Sequence, residues 1–147
     1  METVYDEACR EELIRRVRML NEDSRSRWGK MTVFQMVKHC TLWENWVLNS
    51  KGNKRVFAGR LFGKMALKAL LKEGAPLRRN SPSLPELIVT GSGNVALQKE
   101  KWIALIEEHG QRFNPEFVHS FFGKMTREET GVMAYKHTDH HLRQFGC

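Results

Sequence analysis

Cysteine and proline are scarce in this chain, and no apolar run is long. Three cysteines, Cys9, Cys40 and Cys147, are scattered through 147 residues. They are too few for a disulfide framework and too far apart for a cysteine-rich zinc site, so reduced thiols are expected. No stretch approaches the ~20 apolar residues of a membrane span. The opening Met-Glu-Thr-Val-Tyr-Asp-Glu carries acids where a secretory leader needs positive charge followed by an apolar segment. A cytoplasmic protein with no membrane association is the expectation. Acids are outnumbered: 17 Asp and Glu stand against 24 Lys and Arg, a net charge of +7. That excess raises the question of a polyanionic partner without answering it.

At 41% hydrophobic and 28% charged residues, the composition is that of an ordinary globular protein, and whole-chain disorder is excluded. The length suits one domain over residues 1–147. Three of the four prolines, Pro76, Pro82 and Pro85, fall in the middle, and the flanks read as helices. Over 4–20, Val4, Leu13, Ile14, Val17 and Leu20 make one apolar stripe at helical spacing. Thr-Val-Phe-Gln at 32–35 matches a capping box, and Met36, Cys40, Trp43 and Val47 follow on one face of a helix over 32–50, with Gly52 as its stop. A third long helix is expected over 92–109, with Val95, Trp102, Leu105 and Ile106 inward. A fourth runs over 126–145, opened by Thr-Arg-Glu-Glu129, again a capping box.

The first two helices are joined by about ten polar residues and are expected to be antiparallel neighbours. Roughly forty residues separate the second and third, enough for a crossover that carries a short amphipathic helix near 60–72. The fold class is all-α: a four-helix bundle with a long crossover between helices two and three. No strand pattern rivals it, although Leu87-Ile88-Val89-Thr90 is a brief extended candidate.

The fourth helix carries the chemistry. Its core side is marked by Met133 and Ala134, and Thr130, His137 and His141 lie on or near that side, with Gln144 close by. Four residues apart, the two histidines differ by about 40° in azimuth and stand one turn apart on one face. Burying polar groups without partners costs roughly 1–3 kcal/mol each, and metal ligation would satisfy both rings at once. Thr138 occupies the position where a metalloprotease helix needs its Glu, so protease chemistry is not indicated. On the second helix His39 sits at the edge of the buried face beside Trp46; taken alone it reads as a satisfied boundary histidine. Cys40 reads as a small core hydrophobe and His140 as lying outside the pair's alignment.

These motifs resemble a known family. Gln35-Met36-x-x-His39 after a Met-Thr helix start, Asn80-Ser-Pro-Ser-Leu-Pro-Glu, and Phe-Phe-Gly-Lys-Met-Thr-Arg-Glu-Glu leading to Tyr135-Lys-His137-Thr-Asp-His140-His141-Leu-Arg-Gln144-Phe145 are similar to the DinB-like superfamily. Within it, the match is to a branch ending in H-x-x-H-H-L-x-Q-F. The resemblance spans about Met31 to Phe145 and implies helices in up-down-down-up order. It also implies a divalent metal held by three histidines, on His39, His137 and His141; zinc or nickel is the expected ion. Superfamily members of known activity are thiol-dependent transferases and isomerases that use low-molecular-weight thiols such as bacillithiol or mycothiol. A small-molecule substrate, a thiol cofactor and a homodimer are therefore implied. Three protein ligands leave a position open, the catalytic pattern, for a thiolate or an activated water. Gln144, one turn beyond His141, is placed to hydrogen-bond behind it. A degenerate site with neutral buried histidines is the alternative.

Residues 51–79 carry the rival reading. Nine basic residues (Lys51, Lys54, Arg55, Arg60, Lys64, Lys68, Lys72, Arg78 and Arg79) face Glu73 alone. The segment would serve a non-enzymatic binding or stress-response protein whose metal is structural or absent and whose partner is anionic. A solvated helix face is the plainer account, and nucleic acid is not expected, because no base-stacking aromatics alternate with the charges.

Overall fold

The computed structural model describes residues 1–147 as a mostly helical chain of five α-helices and one very short two-stranded sheet. The helices are α1 (Glu7–Met19), α2 (Val33–Asn49), α3 (Phe57–Leu70), α4 (Val95–Gln111) and α5 (Arg127–Gln144). Strands β1 (Val118–His119) and β2 (Gly123–Lys124) pair antiparallel between α4 and α5, and Pro85–Leu87 forms a single 3₁₀ turn. The all-α class expected from the sequence therefore holds.

Caps decide where the helices start. In both expected capping boxes the bonds form in each direction. Thr32 Oγ1 accepts from Gln35 N–H at 3.2 Å while Thr32 N–H donates to Gln35 Oε1 at 3.0 Å. Thr126 and Glu129 repeat the pattern at 3.1 and 2.9 Å. Two starts fall later than the periodicity alone indicates. Asp6 caps α1 by accepting from Cys9 N–H, so Val4 precedes the helix, and its N–H donates to Gly131 O. Asn94 caps α4 by accepting from Leu97 N–H. α2 ends at Asn49, and Gly52 lies in the following turn at φ +56°.

The apolar stripes pack as their spacing requires. Val4, Leu13, Ile14, Val17 and Leu20 are buried, as are Met36, Cys40, Trp43 and Val47. Burying a side chain of this kind contributes about 1.5–3 kcal/mol. α1 and α2 each pack against both α4 and α5, which corrects the expectation that α1 and α2 are direct neighbours.

Ion pairs and side-chain bonds align the helix ends. The start of α2 meets the approach to α4 through Gln35 Nε2–H donating to Gly91 O, and their ends meet through Arg112 on Leu48 O and Asn49 Oδ1. Arg10 near the start of α1 pairs with Glu107 near the end of α4, while Lys99 near the start of α4 donates to Arg18 O and Leu20 O. Arg16 of α1 reaches Asp139 and Cys147 O at the end of α5.

The crossover helix α3 is longer at its start than expected and packs on the sheet. Gly59 and Gly63 make this contact possible: a Cβ at either would lie 2.3 or 2.2 Å from Phe121 O. The other end of α3 is held from α5, where the Lys136 ammonium donates to Leu70 O, Lys72 O and Ala75 O. Three carbonyls at a helix C-terminus suit a cation. No helix is long and apolar enough to cross a membrane.

Candidate metal centre

Three of the expected residues come together. His39 of α2 and His137 and His141 of α5 each present one ring nitrogen, and these atoms lie within 4.8 Å of one another. His39 Nε2 and His137 Nε2 are 3.3 Å apart. Two nitrogens bound tetrahedrally at 2.0–2.1 Å from one zinc stand ~3.3 Å apart, so this spacing suits a shared ion.

The hydrogen bonds behind the rings decide which nitrogen is bare. His39 Nδ1 is 2.9 Å from Leu87 O, a carbonyl that can only accept, so the proton sits on Nδ1 and the Nε2 lone pair is free. His141 Nδ1 is 2.9 Å from Gln144 Oε1, and Gln144 Nε2–H donates to Trp28 O at 2.9 Å. The second bond orients the amide, so Oε1 faces His141 and again leaves Nε2 bare. Gly29 lets this amide approach: a Cβ there would stand 2.7 Å from Gln144 Nε2, and the residue adopts φ +78°. His137 stacks on Trp43 at 4.3 Å, and its Nδ1 has no protein partner.

Ligation requires neutral imidazoles, and the surroundings supply them. Burial, then the charge of His39, pushes His141 down to about 3 against the pull of Gln144. Burial, then the neighbouring histidines, lowers His137 well below its ordinary value. Burial lowers His39, opposed by the Leu87 carbonyl. The donor set, its protonation and the two oriented Nε2 lone pairs fit a divalent ion, and these three histidines could hold one.

The cluster opens into a cavity of about 970 Å³. Trp43 and Trp46 of α2 wall it. The crossover closes another side with Arg78, Asn80, Ser81 and Ser83, but most of its basic residues face elsewhere: Lys64, Lys68 and Lys72 are exposed. His140 lines the cavity outside the three-nitrogen group, edge-on to Trp28, whose ring carries the Arg79 guanidinium at 4.1 Å. No Asp or Glu lines the cavity.

One lining residue was not singled out from the sequence. His119 sits on β1, its ring 5.2 Å from Trp46 and 4.4 Å from Phe122. Its Nδ1 accepts from the backbone N–H groups of Phe121 and Phe122 at 3.1 and 3.2 Å. The available signal was local: a histidine just ahead of an aromatic-Gly turn, where free backbone donors need an acceptor. A second buried polar pair, His109 Nδ1–H donating to Glu44 Oε2 at 2.6 Å, lies between α4 and α2 as part of the core.

Comparison with curated proteins and with solved structures gives no match. The DinB superfamily family description matches residues 5–145, nearly the whole chain. With that coverage, and a three-histidine cluster where the helix-two and helix-four motifs place it, the chain belongs to the DinB superfamily.

Proposed function

We propose that this protein is a metal-dependent transferase that joins a low-molecular-weight thiol to a small electrophile in the cavity above His39, His137 and His141. The observation that carries the reading is the pair of oriented imidazoles, His39 on Leu87 O and His141 on Gln144 Oε1, which turn bare nitrogens towards His137 beside a large cavity. A divalent ion, zinc or nickel, would be held by these three residues and would supply thiolate formation, because coordination deprotonates a thiol. The chain's own residues do the rest. Leu87 O and Gln144 hold the ring tautomers, the aromatic walls exclude water, and Lys30 and Arg78 favour an anionic ligand.

The same proposal extends to the scaffold. α1, α2, α4 and α5 form a four-helix bundle in up-down-down-up order, supported by the matched ends of α2 with α4 and the opposed ends of α1 with α4. A cytoplasmic homodimer is part of this reading by family likeness. The test is elemental analysis of protein purified without a histidine tag, followed by assay against a panel of thiols and electrophiles with and without chelator. Stoichiometric metal and chelator-sensitive turnover support the reading. A loaded site that turns over nothing removes the enzyme and leaves the metalloprotein.

A second reading draws on α3. Phe57, Leu61 and Met65 are exposed along it beside the exposed Lys64, Lys68 and Lys72. A non-enzymatic role for segment 51–79 towards an anionic partner would show as tight, selective polyanion binding at ~0.2 M salt, where a solvated face releases it.

A further inference from the structure

We propose that His119 Nε2–H is a fixed hydrogen-bond donor in the cavity, gripping the acceptor oxygen of a ligand whose flat apolar body lies on Trp46, Phe121 and Phe122. The inference rests on the reading that this cavity binds a substrate, and it names the chemistry of one: a carboxylate or carbonyl on an aromatic or otherwise flat apolar frame.

The tautomer follows from backbone geometry. Two N–H groups, from Phe121 and Phe122, point at Nδ1, which therefore carries the lone pair. In the neutral ring the proton is left on Nε2. Burial keeps the ring neutral by lowering its pKa to about 4. Nε2 makes no hydrogen bond within the protein and is not one of its buried unpartnered atoms, and the residue lines the cavity. A donor without a protein acceptor, on a ring that cannot turn over without losing two bonds, is aimed at something other than the protein.

The ring is also held rigidly. His119 pairs with Gly123 across the sheet, and Trp46 and Phe122 pack on its faces and edge. α3 presses on the turn at Phe121 O through Gly59 and Gly63. A donor fixed in this way loses little freedom when it binds, which is the condition for a strong and selective contact.

The rest of the cavity agrees on the sign of the ligand. Its lining holds no carboxylate to compete for the donor, and Lys30 and Arg78 add positive charge. Its two sides differ chemically: aromatic from α2 and the sheet, polar from Arg78, Asn80, Ser81 and Ser83 of the crossover. About 970 Å³ accommodates two small molecules, one on each kind of wall, and His119 belongs to the aromatic side.

The test uses the full chain, labelled at histidine nitrogen, with benzoate as the probe. Long-range nitrogen–proton NMR should report His119 as the Nε2–H tautomer near neutral pH, and benzoate should shift its Nε2 resonance. His119→Asn keeps an acceptor near the turn and loses the reach to the cavity; it should weaken benzoate by about tenfold or more with helical content and melting temperature kept. His119→Gln, which can place an N–H near the original Nε2, should recover most of that loss. An Nδ1–H tautomer, a resonance that benzoate does not move, or an Asn variant that binds as tightly as wild type overturns the proposal. Zinc stoichiometry, measured separately, reports on the three-histidine centre: protein that binds no zinc but shows the His119 shift refutes the metal reading alone.

Discussion

Replacing Gln144 by Leu tests the centre without touching a ligand. The amide is buried at 4% exposure and is clamped at both ends, accepting from His141 Nδ1–H and donating to Trp28 O. Leucine is of similar size and cannot do either. His141 would lose the acceptor that keeps its proton on Nδ1, and the proton could move to Nε2, where His39 Nε2 offers a lone pair nearby. The nitrogen meant for the ion would then be blocked in part of the population. Hydrogen bonds behind metal-bound histidines are worth ~10- to 100-fold in affinity, or ~1.4–2.7 kcal/mol. Zinc affinity, measured against a competing chelator near neutral pH, should fall by that factor with helical content unchanged. Gln144→Glu keeps an oxygen facing His141, a carboxylate that still holds the Nδ1 proton, and sets its other oxygen against Trp28 O; its zinc affinity should stay within about tenfold of wild type while its melting temperature falls. Equal zinc affinity for the Leu variant and wild type, or an equal loss for Leu and Glu, would refute the reasoning.

Removing a ligand is the blunter experiment: His137→Ala or His141→Ala should abolish stoichiometric metal on elemental analysis while circular dichroism still reports helix. Acid should destabilise the metal-free protein. His141 is held near 3 folded against 6.5 unfolded, so below about pH 6.5 the unfolded chain gains the proton first; by ~pH 5 this group alone costs ~2 kcal/mol, read as a lower urea midpoint. Glu44→Ala leaves the buried His109 Nδ1–H without its acceptor, and a loss of ~1–3 kcal/mol in chemical denaturation is expected. Duplex DNA should bind the basic crossover weakly and without sequence preference and be released by ~0.2 M salt in a filter or mobility assay.

The long helices were legible because their signals are local. Thr32 with Gln35 and Thr126 with Glu129 announce their own helix starts, and the apolar stripe behind each lands in the core. Val4 shows the limit: its burial fits the stripe, yet a side-chain cap two residues later starts the helix and a bond to Gly131 O fixes the segment before it. The histidine cluster was legible in part for the same reason, since His137 and His141 share a helix face. Their supports were less so. Gln144 was found because it lies on that face, but the partner of His39 is a backbone carbonyl from the crossover, which no side-chain pattern encodes. Strands of two residues carry no alternation, so the sheet, and His119 on it, left no periodic trace. The placement of α1 relative to α2 was misread because connection length limits reach and does not choose between an adjacent and an opposite position.

His39 and His137 are separated by 98 residues of chain, on helices whose packing on each other is otherwise modest beside that of α2 on α4. An ion shared between them would act as a removable staple across the structure. Because the unfolded chain presents no such triad, metal at ~100 times its dissociation constant would add ~2.7 kcal/mol to the folded state. Where degradation follows the unfolded population, that is roughly a hundredfold fewer openings for a protease. The abundance of the protein would then track the supply of its metal, with lifetime as the readout and no sensor beyond the staple itself.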